Sequence, residues 1–147
     1  MIKVDVSCEP ANILKPNVTK IKNIVKMVYE NENVHDFNIS IIFTNDELVS
    51  SLKKTFFKIN ELTDVIAFRL NDYSEKNVEG EVYISVERVF YNAKKYNEKK
   101  TSEISRVLIH GILHLLNYKD NEKESKNLMT SKENHYLSQV DCECFYV

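Results

Sequence analysis

Hydrophobic and polar residues alternate along this chain in two rhythms, and the points where one gives way to the other mark out its elements. Ile2, Val4 and Val6 share one face of an alternating run from Ile2 to Ser7, the pattern of a half-buried strand. After Pro16 the apolar positions Val18, Ile21, Val25 and Val28 recur at intervals of three and four, with Lys20, Lys22 and Lys26 on other faces, which predicts an amphipathic helix. Phe37, Ile39, Ile41 and Phe43 return to period two and predict a second strand ending at Thr44-Asn45. Asn45 supplies a cap for the helix that follows, and Asp46 and Glu47 face the positive end of its dipole.

Asp64 to Leu70 and Glu81 to Val86 read as the two strands of a hairpin, joined by the polar stretch Asn71 to Asn77. Glu87 to Asn97 carries Val89, Phe90 and Ala93 at helical spacing, and Asn97-Glu98-Lys99-Lys100 closes it. Thr101 or Ser102 is expected to cap the next helix, whose apolar residues (Ile104, Val107 to Ile109, Ile112, Leu113 and Leu115) run almost all round the axis. Such a helix belongs in the interior. A last helix is expected from Ser125 to Ser138 through Leu128, Met129, Tyr136 and Leu137. The order β-α-β-α-β-β-α-α-α predicts an α/β (α+β) fold: a mixed sheet of about four strands packed with helices, one of them buried and central, with no internal repeat.

Composition narrows the function classes. A chain of 147 residues, 43% hydrophobic, is sized for a single domain spanning 1–147. A formal net charge of -2 gives no general attraction to polyanions, so any RNA contact has to be local. No apolar run approaches the roughly twenty residues of a membrane span, and Met1-Ile2-Lys3-Val4-Asp5 lacks the pattern of a secretion signal, so a cytoplasmic protein without a membrane partner is expected. Three cysteines, Cys8, Cys142 and Cys144, make an odd number with two only one residue apart, which reads as reduced thiols. Cys142-Glu143-Cys144 lacks both the spacing and the second pair of a zinc knuckle. Only two Gly and two Pro occur, which leaves few tight turns and no flexible linker.

The chemistry concentrates in the buried helix. His110-Gly111-Ile112-Leu113-His114 sets two imidazoles four residues and hence about 40° apart around the axis, so both reach one point. A pair of core histidines satisfied by hydrogen bonds is the ordinary alternative; yet two neighbouring buried imidazoles carry four ring nitrogens with little else polar nearby in sequence. A metal resolves that. Asn117 readily takes the left-handed conformation that ends a helix, which turns Asp120 back toward the same point: two imidazoles, one carboxylate and an open fourth position, the donor set of one catalytic zinc per chain. Zinc so held activates water and polarises a phosphoryl or carbonyl oxygen, so hydrolysis is the expected reaction class. Gly111 stands where His-Glu-x-x-His peptidases carry their general base, which weakens a peptidase reading.

The run His110-Gly111-Ile112-Leu113-His114-Leu115-Leu116-Asn117-Tyr118-Lys119-Asp120 resembles the His-Gly-x-Leu-His-Leu-x-Gly-Tyr-Asp-His hallmark of the YbeY family. Met129 and Glu133 match its Met-x-x-x-Glu helix, Thr63-Asp64-Val65-Ile66-Ala67-Phe68 its Thr-Asp-Val-Leu-Ser-Phe strand, and Gly80-Glu81-Val82-Tyr83-Ile84-Ser85 its Gly-Asp-Ile-x-Ile-Ser strand. The resemblance covers most of the chain from about residue 37, in the family's order and spacing. It implies an α/β fold with a mixed sheet, a zinc in a cleft and single-strand-specific endoribonuclease activity. It also implies RNA or ribosome partners, in ribosomal RNA maturation and ribosome quality control.

The departures are informative. Asp120 replaces the third histidine, which keeps a ligand but lowers the site's net charge from +2 to about +1. Asn117 replaces a glycine, a mild change for a residue that tolerates the left-handed turn. An Arg expected shortly before the Thr-Asp-Val strand is absent, with Phe56, Phe57 and Lys58 in that region; Lys58 offers a point charge but no bidentate phosphate clamp. Asp64, Glu133 and Lys58 are the candidate assisting groups beside a metal-bound water, and both carboxylates also have ordinary salt-bridge explanations. Arg69, Arg88 and Arg106 are expected to be solvated, His35 to sit in a loop and His135 on an exposed helix face. The expected protein is a monomeric endoribonuclease. The alternatives are a ribosome-associated assembly protein with a structural metal and a zinc-dependent peptidase or amide hydrolase.

Overall fold

The computed structural model describes residues 1–146. Four strands, β1 (Ile2–Cys8), β2 (Phe37–Thr44), β3 (Val65–Arg69) and β4 (Val78–Ser85), form one sheet in the order β1-β2-β4-β3. β1 and β2 pair in parallel, as do β2 and β4, while β3 runs antiparallel to β4 as the expected hairpin partner. Five helices accompany them: α1 (Val18–Asn31), α2 (Asp46–Phe57), α3 (Val86–Lys95), α4 (Lys100–His114) and α5 (Lys123–Leu137). The element order is the one that the hydrophobic rhythm predicts, and the mixed sheet makes it an α+β fold.

Register decides which residues face the core. Phe37, Ile39, Ile41 and Phe43 lie opposite Val78, Gly80, Val82 and Ile84, and Val65, Ala67 and Arg69 continue that face onto β3. Ile21, Ile24, Val25 and Val28 of α1 and the apolar side of α4 pack in the same buried cluster. On the opposite face Phe56 and Phe57 of α2 meet Phe68, which in turn meets Tyr83 edge-on. The sheet is therefore covered on both sides where β3 ends, with α4 beneath and α2 above.

Three boundaries differ from the sequence pattern. β4 begins at Val78 rather than Glu81, because its first residues pair with Phe37 to Ile39 across the parallel ladder even though Gly80 is a poor strand former. α4 begins at Lys100, and its N-cap Lys99 makes no side-chain cap bond; Thr101 and Ser102 lie inside the first turn rather than capping it. Packing of Ile104 and Leu108 rather than a cap fixes that start. α5 begins at Lys123 through a capping box in which Glu122 and Ser125 satisfy each other's backbone, so Ser125 is the third helical residue and not the first.

Candidate metal centre

α4 is buried on all but one stripe. Glu103, Arg106, His110 and His114 recur at intervals of three and four along that stripe and line a cleft of about 1090 Å³. Gly111 brings the helix close to the sheet: a Cβ there would lie 2.6 Å from Val82 Cγ1 and 3.2 Å from Val65 Cγ2. Gly80 does the same one turn on, where a Cβ would stand 2.8 Å from both Leu115 methyls. Both glycines of the chain are thus used where this helix meets the sheet. Gly111 leaves room for β4, since Val82 and Val65 occupy the space that a Cβ there would take.

Beyond His114 the chain turns at Asn117, which has φ 72°, and Asp120 returns toward the histidines as the residue pattern predicts. One ligand atom from each of His110, His114 and Asp120 lies within 4.8 Å of the others, the single such grouping among the described residues. His110 Nδ1 is 2.5 Å from Glu133 Oε2, and His114 Nδ1 is 2.7 Å from the Tyr118 carbonyl. A carboxylate and a carbonyl only accept, so both Nδ1 atoms carry hydrogen and donate. That leaves the two Nε2 atoms 2.8 Å apart, with Asp120 Oδ2 3.3 Å from one and 3.5 Å from the other. Three acceptors converge with no hydrogen left among them, an arrangement that a divalent cation satisfies.

The surrounding charges push the two imidazoles in opposite directions. Burial pushes the His110 imidazolium down, but the bond and charge of Glu133, joined by Asp120 and Asp64, outweigh it and raise the group above its ordinary value. Burial also lowers His114, and the charge on His110 lowers it further, against the pull of Asp120. Asp64 lines the cleft, and burial raises its carboxyl above the usual range against the attraction of His110. Glu103 is raised by burial and by the charge of Asp64.

Glu133 is 8% exposed and has both oxygens engaged, Oε2 by His110 and Oε1 by Arg106 Nη1 at 3.1 Å. It holds the His110 ring through Nδ1 and is itself held by Arg106. Arg106 also donates to Asn134 Oδ1 at 2.8 Å. The other arginines are likewise engaged rather than merely solvated. Arg69 donates to the Leu115 carbonyl at 2.8 Å, to Asn71 and to three carbonyls of the β3–β4 loop, which ties the end of α4 to the sheet. Arg88 pairs with Asp46 at 2.7 Å. Lys58 ends α2 in the left-handed conformation and lies outside the cleft lining, whereas Lys53 lies within it. His35 is an exposed loop residue and His135 an exposed helical one. Glu103 belongs to no motif and Arg106 reads in sequence as a solvated cation, although their spacing of seven and four before His110 places them on the histidine face.

The profile of the family described as Endoribonuclease YbeY matches residues 6–141. The chain belongs to the YbeY family. It is 37% identical over 122 residues to the Endoribonuclease YbeY of Amoebophilus asiaticus, covering 83% of this chain and 82% of that one. To the protein of the same name in Chloroherpeton thalassium it is 36% identical over 121 residues, covering 82% and 84%. The fold is shared with a Thermotoga maritima protein solved in solution, at a TM-score of 0.63 and 24% identity over 95% of this chain and 90% of that one. The YbeY match runs from the end of β1 through α5, and so takes in every residue of the centre. Among the described residues no helix is long and apolar enough to cross a membrane.

Proposed function

We propose that this chain is a zinc-dependent endoribonuclease that cuts single-stranded RNA in the cleft above α4, serving ribosomal RNA maturation and ribosome quality control as a cytoplasmic monomer. The observation that carries the reading is the convergence of His110 Nε2, His114 Nε2 and Asp120 Oδ2, all acceptors, on the cleft floor of a chain whose family is named for endoribonuclease activity. These three residues would hold one zinc, which when bound supplies Lewis-acid stabilisation of charge on a phosphodiester. Glu133 and the Tyr118 carbonyl keep both imidazoles in the tautomer that offers Nε2. Asp64, on the cleft wall, is the group to which we assign proton transfer.

Charge and shape in the cleft favour an unpaired strand. Lys53, Arg106, Lys119 and Lys126 balance Asp64, Glu103, Asp120 and Glu133, so a bound cation would turn the lining net positive. Phe57 at 49% exposure and Tyr73 at 52% also line it; Phe68 and Arg69 cover one face of each ring, and the other is the one offered to a splayed base. The test is elemental analysis of the native chain and of Asp120→Ala, each then assayed on single-stranded and duplex RNA. About one zinc per native chain, falling in the variant together with single-strand cleavage, supports the reading. Zinc without cleavage would instead indicate an assembly or binding protein, and no metal in either would overturn the proposal.

A further inference from the structure

The first 36 residues contribute nothing to the centre directly, yet one of their carboxylates is buried at its back. Glu32 follows α1, and its side chain is 9% exposed. Its Oε1 accepts the Tyr118 hydroxyl at 2.5 Å; its Oε2 accepts the Tyr136 hydroxyl and pairs with Lys132 Nζ at 3.0 Å. Two phenols and an ammonium from the loop after α4 and from α5 thus meet on one carboxylate. Both segments lead back to the imidazoles. The Tyr118 carbonyl holds His114 Nδ1, and α5 carries Glu133, which holds His110 Nδ1.

We infer that Glu32 is a positioning residue of the metal centre: it anchors Tyr118 and α5 together, and through them sets the orientation of both histidines. The helix alone fixes where the imidazoles begin, not how their rings turn, so ring orientation comes from the acceptors at Nδ1. For His114 that acceptor is a loop carbonyl. Apart from the bond its carbonyl accepts from His114 itself, the Tyr118 backbone makes one bond, its N–H to the Leu113 carbonyl at 3.3 Å, so the phenol on Glu32 is its firmest independent tie. The Glu133 carboxylate has Arg106 as a second partner, so His110 depends on the anchor less. Loss of Glu32 should therefore act on His114 first.

The inference rests on the metal reading, and the experiment separates the two. Tyr118→Phe removes only the hydroxyl and keeps the ring and the carbonyl; Glu32→Gln keeps the shape and removes the charge. Ile39→Val, a core truncation away from the network, serves as a control for lost stability. Each chain is titrated with zinc against a chromophoric chelator and with cobalt for its visible absorption. The ring-nitrogen shifts of neutral His114 are measured by NMR in the metal-free protein. Both network variants should bind zinc roughly tenfold more weakly or worse, alter the cobalt spectrum, and show His114 as a mixture of tautomers where the native chain holds hydrogen on Nδ1. Ile39→Val should change none of these. Native zinc affinity, cobalt spectrum and tautomer in folded Tyr118→Phe and Glu32→Gln would overturn the inference. If the native chain binds no metal, the metal reading falls, and the His114 tautomer alone decides whether Glu32 positions the ring.

Discussion

The floor of the cleft and its rim are held by opposite means. On the floor, α4 sits against β3 and β4 without room for a methyl group at Gly111 or Gly80, and the two histidines inherit their spacing from backbone geometry. On the rim, the segment from Leu115 to Glu122 leaves the helix through a turn bonded back to Leu113 and His114, and side-chain bonds to Arg69 and Glu32 hold it beyond that. Close packing tolerates almost no change of volume, whereas a polar tie tolerates shape and fails on loss of a donor or acceptor. The spacing of the two histidines thus depends on steric fit, and the return of Asp120 toward them on hydrogen bonds.

Substitutions at the floor should do the most damage. Gly111→Glu would drive a carboxylate into Val82 and Val65 and is expected to lower stability by more than about 3 kcal/mol, giving a chain that unfolds early in urea rather than one with a new general base. A stable Gly111→Glu protein would show that the helix can lift from the sheet. Glu133→Gln keeps the shape of the His110 acceptor and removes its charge, so zinc affinity should fall about 10- to 100-fold with the melting temperature much less affected. The measurement is competition with a chelator; unchanged affinity would mean that His110 needs an acceptor of that shape but not its charge.

On the rim, Glu32 makes a pH-dependent contribution. Burial pushes its carboxyl up, but hydrogen bonds from Tyr118, Tyr136 and Lys132, with the charge of Lys132, more than offset this and hold it below the ordinary value of 4.5. A depressed folded-state value means that the stabilisation is complete above the unfolded value and is lost as pH falls through the folded one. Native chain should therefore exceed Glu32→Gln by about 2 kcal/mol near neutrality, the worth of charge-assisted bonds, and the gap should close on acidification below pH 4.5. Urea titrations of both chains across that range check it, and a gap that ignores pH would take the carboxylate's charge out of the explanation. The smallest effect belongs to the turn. Asn117→Gly should shift stability by no more than about 0.5 kcal/mol, because both residues accept the left-handed backbone, whereas Asn117→Ala should lose about 1 kcal/mol.

What the sequence makes legible follows the same division. Element order and the ligand trio arise from periodicity along short segments, and His110, His114, Asn117 and Asp120 stand within one helix and its turn. The polar stripe of α4 was also within reach, since Glu103 and Arg106 repeat the histidine spacing. Glu32 was not, because a glutamate that ends an amphipathic helix looks like any solvated one until tertiary contacts 86 and 104 positions away bury it. Arg69 is similar: an alternating strand gives no sign that its arginine caps another helix. Gly111 could be recognised as a place where space matters, but only the register of β3 and β4 reveals whose space it is.

The distance in sequence between Glu32 and its phenols also orders events during synthesis. The carboxylate emerges first, both histidines and Asp120 much later, and Tyr136 and Lys132 last, because chains leave the ribosome from their N-terminus. A chain terminated anywhere between Asp120 and α5 would carry all three ligands and neither Glu133 nor the anchor on the last helix. The centre thus waits on the translation of α5, so that products interrupted before it carry the donor set without Glu133, Lys132 or Tyr136 to hold it.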